Sequence, residues 1–514
     1  MSVDSLRFLP LKSLHWGVLA LSVALAGCST IVPSPLKVDE IEGQAKLDRT
    51  QAQQGVEPIE GSISLDEAIA RALKYNLDRR VKLMEEAIAF NQLDISNYDM
   101  LPRLVASYGY RDRSEYATSR ASDSVTGAAS LANPFISSDR AHNNVDLGLT
   151  WNILDVGLSY YGAKQNADRA LIAMERRRRA MHILIQDVRS AYWRTVSSQK
   201  LRKDLQESIA LANEALADAK KAEDERLRSP LDSLRYQRQT LDNMRLLEGI
   251  EQDLSSARVE LASLINAPLG FELKVQEGAE AVNKRILEVP VQGMEEVAIA
   301  RNADLREHFY NVRIASDETR RTMAKLFPNL TFNYTLKADS DKYLVNNRWN
   351  EVGAQISYNL INILSAPSQM KYAAAGVELA EQRRAAGLMA VLAQVHLARL
   401  QYGNALKQYE HADAISAVDD RINKHVNNRE QAQVSTKLDR VASSTASILS
   451  LLRRYQALAQ VHTAASKLQA TLGMEPEFTS VQDTSLVDLK TAVNESIERW
   501  EKADLQLKPT PSGK

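Results

Sequence analysis

The chain has 514 residues, of which 44% are hydrophobic and 25% are charged, and its formal net charge is −1. This near-neutral balance, without a basic block, gives no support for nucleic-acid binding. Its 20 glycines and 14 prolines are few for this length, which is typical of a mainly helical protein. No HExxH, CxxC, P-loop or GxSxG motif is present and the eight histidines are scattered, so we expect no enzyme activity, cofactor or metal.

The N-terminus has the pattern of a bacterial export signal. Arg7 and Lys12 precede an apolar run at residues 16–27, which is too short for a permanent membrane helix and fits a cleaved signal. Cys28, the only cysteine, follows it, and LAGC at 25–28 resembles the bacterial lipobox. That resemblance implies removal of residues 1–27, a diacylglycerol anchor on Cys28 and, with Ser29 next to it, sorting to the outer membrane. The alternative is an ordinary cleaved signal with an incidental thiol.

The mature chain repeats its landmarks, which predicts an internal duplication. Asn76 and Asn302 are 226 residues apart, as are LPRL at 101–104 and FPNL at 327–330. LTWNI at 149–153 and ISYNL at 356–360 are 207 apart, as are SPLD at 229–232 and TKLD at 436–439. The offset changes once, so the first copy has a longer loop at 112–143. The predicted segments are an extended lipidated tether at 28–60, repeats at 61–280 and 281–475, and a polar tail at 476–514 with a short helix near 486–502.

Each half is predicted to contain helix, strand, loop, strand, long helix, turn and helix. In the first half these are a helix at 65–100 ended by Pro102, strands near 103–111 and 144–154, a helix at 157–228 and a returning helix at 231–266. The long helix, and its counterpart at 366–435, would each span roughly 100 Å. Apolar residues in the returning helix step by four and three residues, which indicates a coiled-coil seam or an ordinary amphipathic helix; they are Ile250, Leu254, Ala257, Leu261 and Leu264.

All four predicted strands alternate apolar and polar residues. In VDLGLTWNIL, at 145–154, the apolar face holds Val145, Leu147, Leu149, Trp151 and Ile153. Each strand has about ten residues, the length of a tilted membrane strand. Membrane barrels have at least about eight strands and tolerate no open edge in lipid, so two or three chains would have to pool their strands. The alternative is a small soluble sheet whose apolar face covers a core.

In these features the chain resembles the TolC-like outer-membrane efflux channel lipoproteins. The matching stretches are SLDEAIARALKYN at 64–76, LPRLVASY at 101–108, LTWNILDVG at 149–157 and RLRSPLDSL at 226–234, with counterparts in the second half. The resemblance covers residues 62–475. It implies a mainly helical fold with a small β part, in which a homotrimer forms a twelve-stranded transmembrane barrel above a periplasmic tunnel of helical hairpins. It also implies a passive efflux duct that docks on a periplasmic adaptor protein and an inner-membrane transporter.

The turns of the two helical hairpins are the tips, and the resemblance assigns them to adaptor docking. The residues are Leu227, Arg228, Ser229, Pro230, Leu231 and Asp232 in the first tip, and Val434, Ser435, Thr436, Lys437, Leu438 and Asp439 in the second. A Ser or Thr before an acidic first turn also caps a helix, so we expect Ser229 and Thr436 to act as caps. Related channels close their periplasmic end with charged groups, which makes Asp419, Asp420 and Arg421 gate candidates against the alternative of a solvated helix face.

Two other functions stay open from sequence. The same channel could serve type I protein secretion, which needs the same parts. A protein of another class, a periplasmic coiled-coil structural lipoprotein whose strands never enter a membrane, would also carry long amphipathic helices. Composition indicates no substrate, because a wide passive tunnel needs no specific pocket.

Overall fold

The computed structural model describes residues 33–130, 133–225, 229–277, 282–476, 481 and 483–505. Cys28, the predicted signal, and Leu227 and Arg228 of the first tip lie outside these ranges. The chain divides into two compact units, residues 1–55 and 56–514. The first contains helix α1 (Val38–Gln53), which has no buried residue and lies where the sequence predicts an extended tether. Glu40 favours this helix, because its Oε2 accepts the N–H of Lys37 at 3.2 Å.

The first half of the second unit contains two short helices, strands and a long helical hairpin. Its elements are β1 (Ser62–Ile63), α2 (Leu65–Tyr75), α3 (Leu77–Tyr98), β2 (Arg103–Asp112), β3 (Ala117–Ser119), β4 (Phe135–Ser138), β5 (Ala141–Asn152), α4 (Ile153–Asp224), α5 (Pro230–Leu264) and β6 (Lys274–Val275).

The second half repeats the order and adds a C-terminal helix. After a 3₁₀ turn at Arg285–Glu288 come α6 (Val291–Arg301), α7 (Ala303–Ala324), β7 (Asn329–Asp339), β8 (Arg348–Ser357), α8 (Ile361–Gln431), α9 (Lys437–Leu472) and α10 (Leu486–Glu501). Helices α4 and α8 have 72 and 71 residues, and each is therefore about 108 Å long. None of the helices in the described ranges is long and apolar enough to cross a membrane.

The boundaries differ from the predicted ones in several places, among them α8, which spans Ile361–Gln431 rather than 366–435. The predicted helix at 65–100 is two helices, because Asn76 is extended and its side chain caps the second. Helix α4 begins at Ile153 rather than at 157, because Asn152 Oδ1 accepts the N–H of Asp155 at 3.0 Å and starts the helix there. The predicted loop at 112–143 contains the small hairpin of β3 and β4.

The four main strands form one antiparallel sheet in the order β2-β5-β7-β8. Its two central strands, β5 and β7, come from different halves of the chain. One row crosses the whole sheet on one face and contains Leu104, Leu149, Tyr334 and Val352. The register therefore places the apolar residues of all four strands together, as their alternation predicts.

The core runs along the helices rather than under this sheet. One cluster joins α2, α4, α9 and α10 around Tyr192 and Trp193, and a second joins α6, α8 and α9 around Tyr402. A third lies along the hairpins, where Ile250 and Leu254 of the predicted seam are buried against α4 and α9. The predicted helix in the tail is present as α10, and its buried side chains make the tail part of the core; they are Leu486, Leu489, Val493 and Trp500.

Candidate functional site

The apolar face of the sheet is uncovered in the single chain. The side chains of the row Leu104, Leu149, Tyr334 and Val352 are between 40% and 78% exposed. Soluble proteins rarely leave a contiguous apolar surface of this kind, so it marks contact with lipid or with another protein. The alternative of a soluble sheet covering a core is not supported, since the described residues place nothing over this face.

The opposite face of the sheet is polar. Ser107, Asp146 and Lys337 lie side by side across β2, β5 and β7. Lys337 Nζ lies 2.6 Å from Glu351 Oε2, and Ser107 Oγ lies 3.5 Å from Asp146 Oδ2. One face is therefore suited to a hydrocarbon environment and the other to water.

Both edges of the sheet are open. In the described chain, β2 pairs only with β5, and β8 pairs only with β7. An open edge offers a row of unpaired N–H and C=O groups to another chain. In an environment without water, the single chain therefore leaves the backbone N–H and C=O groups of both edge strands without hydrogen-bond partners.

The β3–β4 hairpin and the β7–β8 turn, which lie at the same end of the sheet, are joined by side chains that sequence analysis did not single out. Asp341, which is 3% exposed, accepts hydrogen bonds from Ser138 Oγ at 2.5 Å and from the Asp139 N–H at 2.9 Å. His142 Nδ1 lies 2.7 Å from Asp339 Oδ1. The β3–β4 hairpin is therefore fixed to the β7–β8 turn.

The first tip lacks the predicted cap. Ser229 occupies the N-cap position of α5, but its side chain makes no capping hydrogen bond, so the expected role of this residue is wrong. Pro230 follows at the first helical position, and a proline there removes one of the N–H groups that a cap would satisfy. Ser229 and Leu231 are exposed, so this tip offers accessible surface.

The second tip carries the predicted cap. Thr436 Oγ1 accepts the N–H of Asp439 at 3.2 Å, and Asp439 Oδ2 accepts the N–H of Thr436 at 3.0 Å, which forms a capping box. The N–H and hydroxyl of Thr436 hold the pKa of Asp439 below its usual value. Val434 is exposed in the preceding turn.

Lys437 ties the second hairpin to the first. Its Nζ lies 2.7 Å from Asp218 Oδ2 and 2.8 Å from Glu214 Oε1, both on α4. These hydrogen bonds from the Lys437 ammonium, above all the one to Asp218, raise the pKa of Lys437. The fully buried apolar contact between the hairpins is small here: it consists of Ala212, Ala215 and Val441, with Leu211, Tyr236 and Met244 partly buried beside them.

The three gate candidates do not converge on a partner helix. Asp420 Oδ2 pairs with Lys424 Nζ at 2.6 Å along the same helix, Asp419 is half-buried and Arg421 is exposed. Within the described ranges, none of the three forms an ion pair with another helix. Ion pairs between α4 and α9 near the tips are instead made by Lys437, which sequence analysis singled out for docking.

Sequence analysis also missed the run ERRRR at 175–179 on α4. Consecutive helical positions point in different directions, so the four arginines reach different neighbours. Arg176 Nη2 lies 2.7 Å from Glu307 Oε1, and Arg178 Nε lies 2.9 Å from Glu475 Oε1. Arg177 forms an ion pair with Glu86, and Arg179 forms one with Asp304.

A four-stranded antiparallel sheet joined to two long helical hairpins is the fold of the TolC-like outer-membrane channels. The chain superposes on the Campylobacter jejuni CmeC outer membrane channel with a TM-score of 0.61 and 12% identity, over 92% of this chain and 98% of that one. For the outer-membrane channel OprN the values are 0.58, 14%, 80% and 89%. For the open state of the Neisseria gonorrhoeae MtrE outer membrane channel they are 0.56, 17%, 80% and 88%.

Neither a protein-family model nor a curated protein sequence matches the chain. The superpositions on solved channels confirm the fold that the sequence resemblance implied. Because the sequence identities are only 12% to 17%, they show a shared fold and nothing further. Closure of the strands into a barrel stays a prediction, because the single chain forms an open four-stranded sheet.

Proposed function

We propose that this protein is the outer-membrane exit duct of an efflux or export system, and that three chains pool their strands into one barrel. The observation that carries the proposal is the exposed apolar row of Leu104, Leu149, Tyr334 and Val352 on a sheet with two open edges. Lipid can cover such a face only if every backbone group at the edges is paired. Three copies would supply twelve strands, and the apolar rows would then form a continuous outer band.

The polar face supports a water-filled passage. With the apolar row outward, Ser107, Asp146 and Lys337 face the lumen, which gives a hydrophilic wall. Strand β5 passes into α4 without a loop, since Asn152 ends the strand and caps the helix. A barrel built from these strands would therefore continue directly into a wall of helices. Such a duct is passive and needs no catalytic group.

The tips are proposed to dock on a periplasmic adaptor that connects the duct to an inner-membrane transporter. Leu231 and Val434 expose 56% and 65% of their surface at the two tips. Exposed apolar side chains at a turn, rimmed by polar ones, suit a protein contact.

Lys437 is proposed as part of the resting closure, because it links the hairpins where their fully buried apolar contact is small. Cys28 is proposed to anchor each chain to the membrane by lipid.

Disulfide cross-linking across the sheet edges tests the assembly directly. Ser107→Cys on β2 is combined in turn with Trp349→Cys, Glu351→Cys and Gly353→Cys on β8, which lie on the same polar face of the sheet as Ser107, in full-length protein in outer membranes. If three chains close the barrel, oxidation gives a ladder on denaturing gels that ends at three chains. In the matched control, Thr150→Cys takes the place of Ser107→Cys. Thr150 lies on the central strand β5, and both strands next to β5 belong to the same chain.

A ladder ending at two chains would replace the trimer by an eight-stranded dimer. Absence of any cross-link, together with solubility without detergent after Cys28→Ser, would leave the structural lipoprotein as the better proposal.

Labelling with radioactive palmitate, lost in Cys28→Ser, tests the anchor separately. A deletion strain that loses drug tolerance supports efflux, whereas one that loses a secreted protein supports type I secretion.

A further inference from the structure

The helices next to the sheet form a layer in the same order as its strands. Helix α3 packs on α4, α4 packs on α7, and α7 packs on α8. Helix α3 leads into the edge strand β2, and α8 follows the other edge strand, β8. The two open edges of the sheet therefore continue into the two edge helices of this layer.

Helix α3 carries an apolar stripe on the side away from α4. The side toward α4 contains Glu86, which forms an ion pair with Arg177, and Arg79, which is 5% exposed. On the opposite side, apolar residues follow one another at steps of four, three, four and seven, which places them on one face of the helix. All are between 44% and 67% exposed, and they are Leu77, Val81, Met84, Ile88 and Ile95.

Helix α8 carries a second apolar stripe on the side away from α7. The side toward α7 contains Ala373, which is 8% exposed and whose carbonyl accepts the hydroxyl of Thr319 at 3.3 Å. The residues of the stripe are between 51% and 84% exposed, and they are Ile361, Leu364, Tyr372 and Leu379. Protein surfaces in water rarely leave such apolar stripes uncovered, so each one indicates a contact outside the chain.

Charged residues beside the two stripes are complementary. Helix α3 ends near the sheet and α8 begins there, so the two helices run in opposite directions. Arg80 precedes the end of α3 by 18 residues and Glu378 follows the start of α8 by 17, which places both about 26 Å from those helix ends. Both reach solvent, and among the described residues neither forms an ion pair. Asp78 and Arg383 form a second pair of opposite charges at similar heights.

We infer that a second copy of this chain covers the stripes: α3 of one copy packs antiparallel on the first part of α8 of the next, with Arg80 opposite Glu378. The inference rests on the proposed function, because it takes the pooled strands as given and names the contact that joins the helices next to them. Three copies would close the helical layer in the same way as the sheet. Apolar packing supplies the attraction and the charges favour one register, because exposed ion pairs are individually weak.

Cysteine pairs test this contact in full-length protein in outer membranes. Ile88→Cys on α3 is combined in turn with Ser368→Cys, Tyr372→Cys and Ala375→Cys on α8, which samples the stagger between copies. Because α4 and α7 separate α3 from α8 within one chain, a disulfide between them joins two copies. We expect at least one of these pairs to give a ladder on denaturing gels that ends at three chains.

Two further sets of variants control this experiment. In the matched control, Phe90→Cys takes the place of Ile88→Cys; Phe90 is 41% exposed but lies one turn from Glu86 on the α4 side, so it should give no ladder. The single-cysteine variants show any link through Cys28. Ile95→Cys with Leu364→Cys, nearer the sheet, serves as a second pair if the first variants fail to assemble.

Charge reversal tests the register. Arg80→Glu should place two acids opposite each other and lower the temperature at which the assembled protein dissociates in dodecyl sulfate. Adding Glu378→Arg should restore that temperature. Arg238→Glu is the matched control, because Arg238 is 86% exposed at its side chain and lies 4.0 Å from Asp242 of its own helix, and it should change nothing.

The sheet-edge cross-links separate failure of this inference from failure of the proposed function. A ladder from the sheet edges without one from any helix pair would overturn the α3–α8 contact and leave the barrel, with lipid or another protein covering the stripes. No ladder from either set would overturn both proposals. A double variant that dissociates at the same temperature as Arg80→Glu alone would overturn the pairing of Arg80 with Glu378.

Discussion

Asn76 and Asn302 tie the two halves of the protein together in the same way. The Nδ2 of Asn76 donates to the carbonyl of Leu264, and that of Asn302 donates to the carbonyl of Thr471, both at 3.0 Å. The asparagines are 226 residues apart and the carbonyls 207 apart, which are the two offsets of the sequence repeat. Each bond joins a break between two short helices to the end of the returning hairpin helix.

Each asparagine also caps a helix, and substitution can separate the two roles. Asn302 Oδ1 accepts the N–H of Leu305 at 3.0 Å, and the asparagine is 4% exposed. Asn302→Asp keeps the cap but loses the donor to Thr471, so it should lower the free energy of unfolding by about 2 kcal/mol. Asn302→Ala loses both and should cost roughly 3 kcal/mol. Urea unfolding of the detergent-extracted protein measures these free energies. An Asn302→Asp variant as stable as the wild type would contradict a stabilising role for the hydrogen bond to Thr471.

The two tips should respond differently to loss of the hydroxyl before their helices. Thr436→Ala removes a capping hydrogen bond and should weaken the start of α9 by about 1 kcal/mol. Ser229→Ala removes no such bond and should change the start of α5 by less than about 0.5 kcal/mol. Hydrogen–deuterium exchange of the first turns of both helices checks this. Equal effects at the two tips would show that Ser229 caps in solution.

The capping box makes the second tip sensitive to acid. Because the folded pKa of Asp439 lies below its ordinary value of 3.8, its contribution is complete above pH 3.8. It is lost as the pH falls through the folded pKa. Amide exchange at the start of α9 should therefore differ between wild type and Asp439→Asn at pH 6, and the two should converge near the folded pKa. A difference that does not shrink at any pH below 3.8 would refute this assignment.

The ion pairs of Lys437 should restrain separation of the hairpins. Exposed pairs are individually weak, but one ammonium between Glu214 and Asp218 joins α4 and α9 near the tips, where their fully buried apolar contact is small. Lys437→Glu should repel both acids and raise single-channel conductance in planar bilayers. Adding Glu214→Lys and Asp218→Lys to that variant should restore the wild-type conductance.

Lys203→Glu provides the matched control for this charge reversal. Lys203 lies on α4 and is 84% exposed at its side chain; among the described residues it pairs only within its own helix, 3.8 Å from Glu207. Its reversal should leave conductance unchanged. An equal rise in both variants would show that net charge, rather than the link between hairpins, controls the opening.

Local signals in the sequence were sufficient to predict the fold class. The period of two in the strands, the steps of four and three in α5, and the two repeat offsets each reflect contacts that a residue makes close by in the chain or in an equivalent copy. For the same reason Thr436 was correctly predicted as a cap, because a cap and its acidic partner are three residues apart. Ser229 has the same local pattern and fails, since the proline after it alters the first turn.

Features that depend on distant parts of the chain were decided only by the tertiary structure. The ion pairs of Lys437 reach residues more than 200 positions away, and no local pattern marks them. The sequence by itself determined which faces are apolar and where the chain repeats. Packing decided which polar groups meet a partner, because burial and distance are properties of the assembled helices rather than of any one of them.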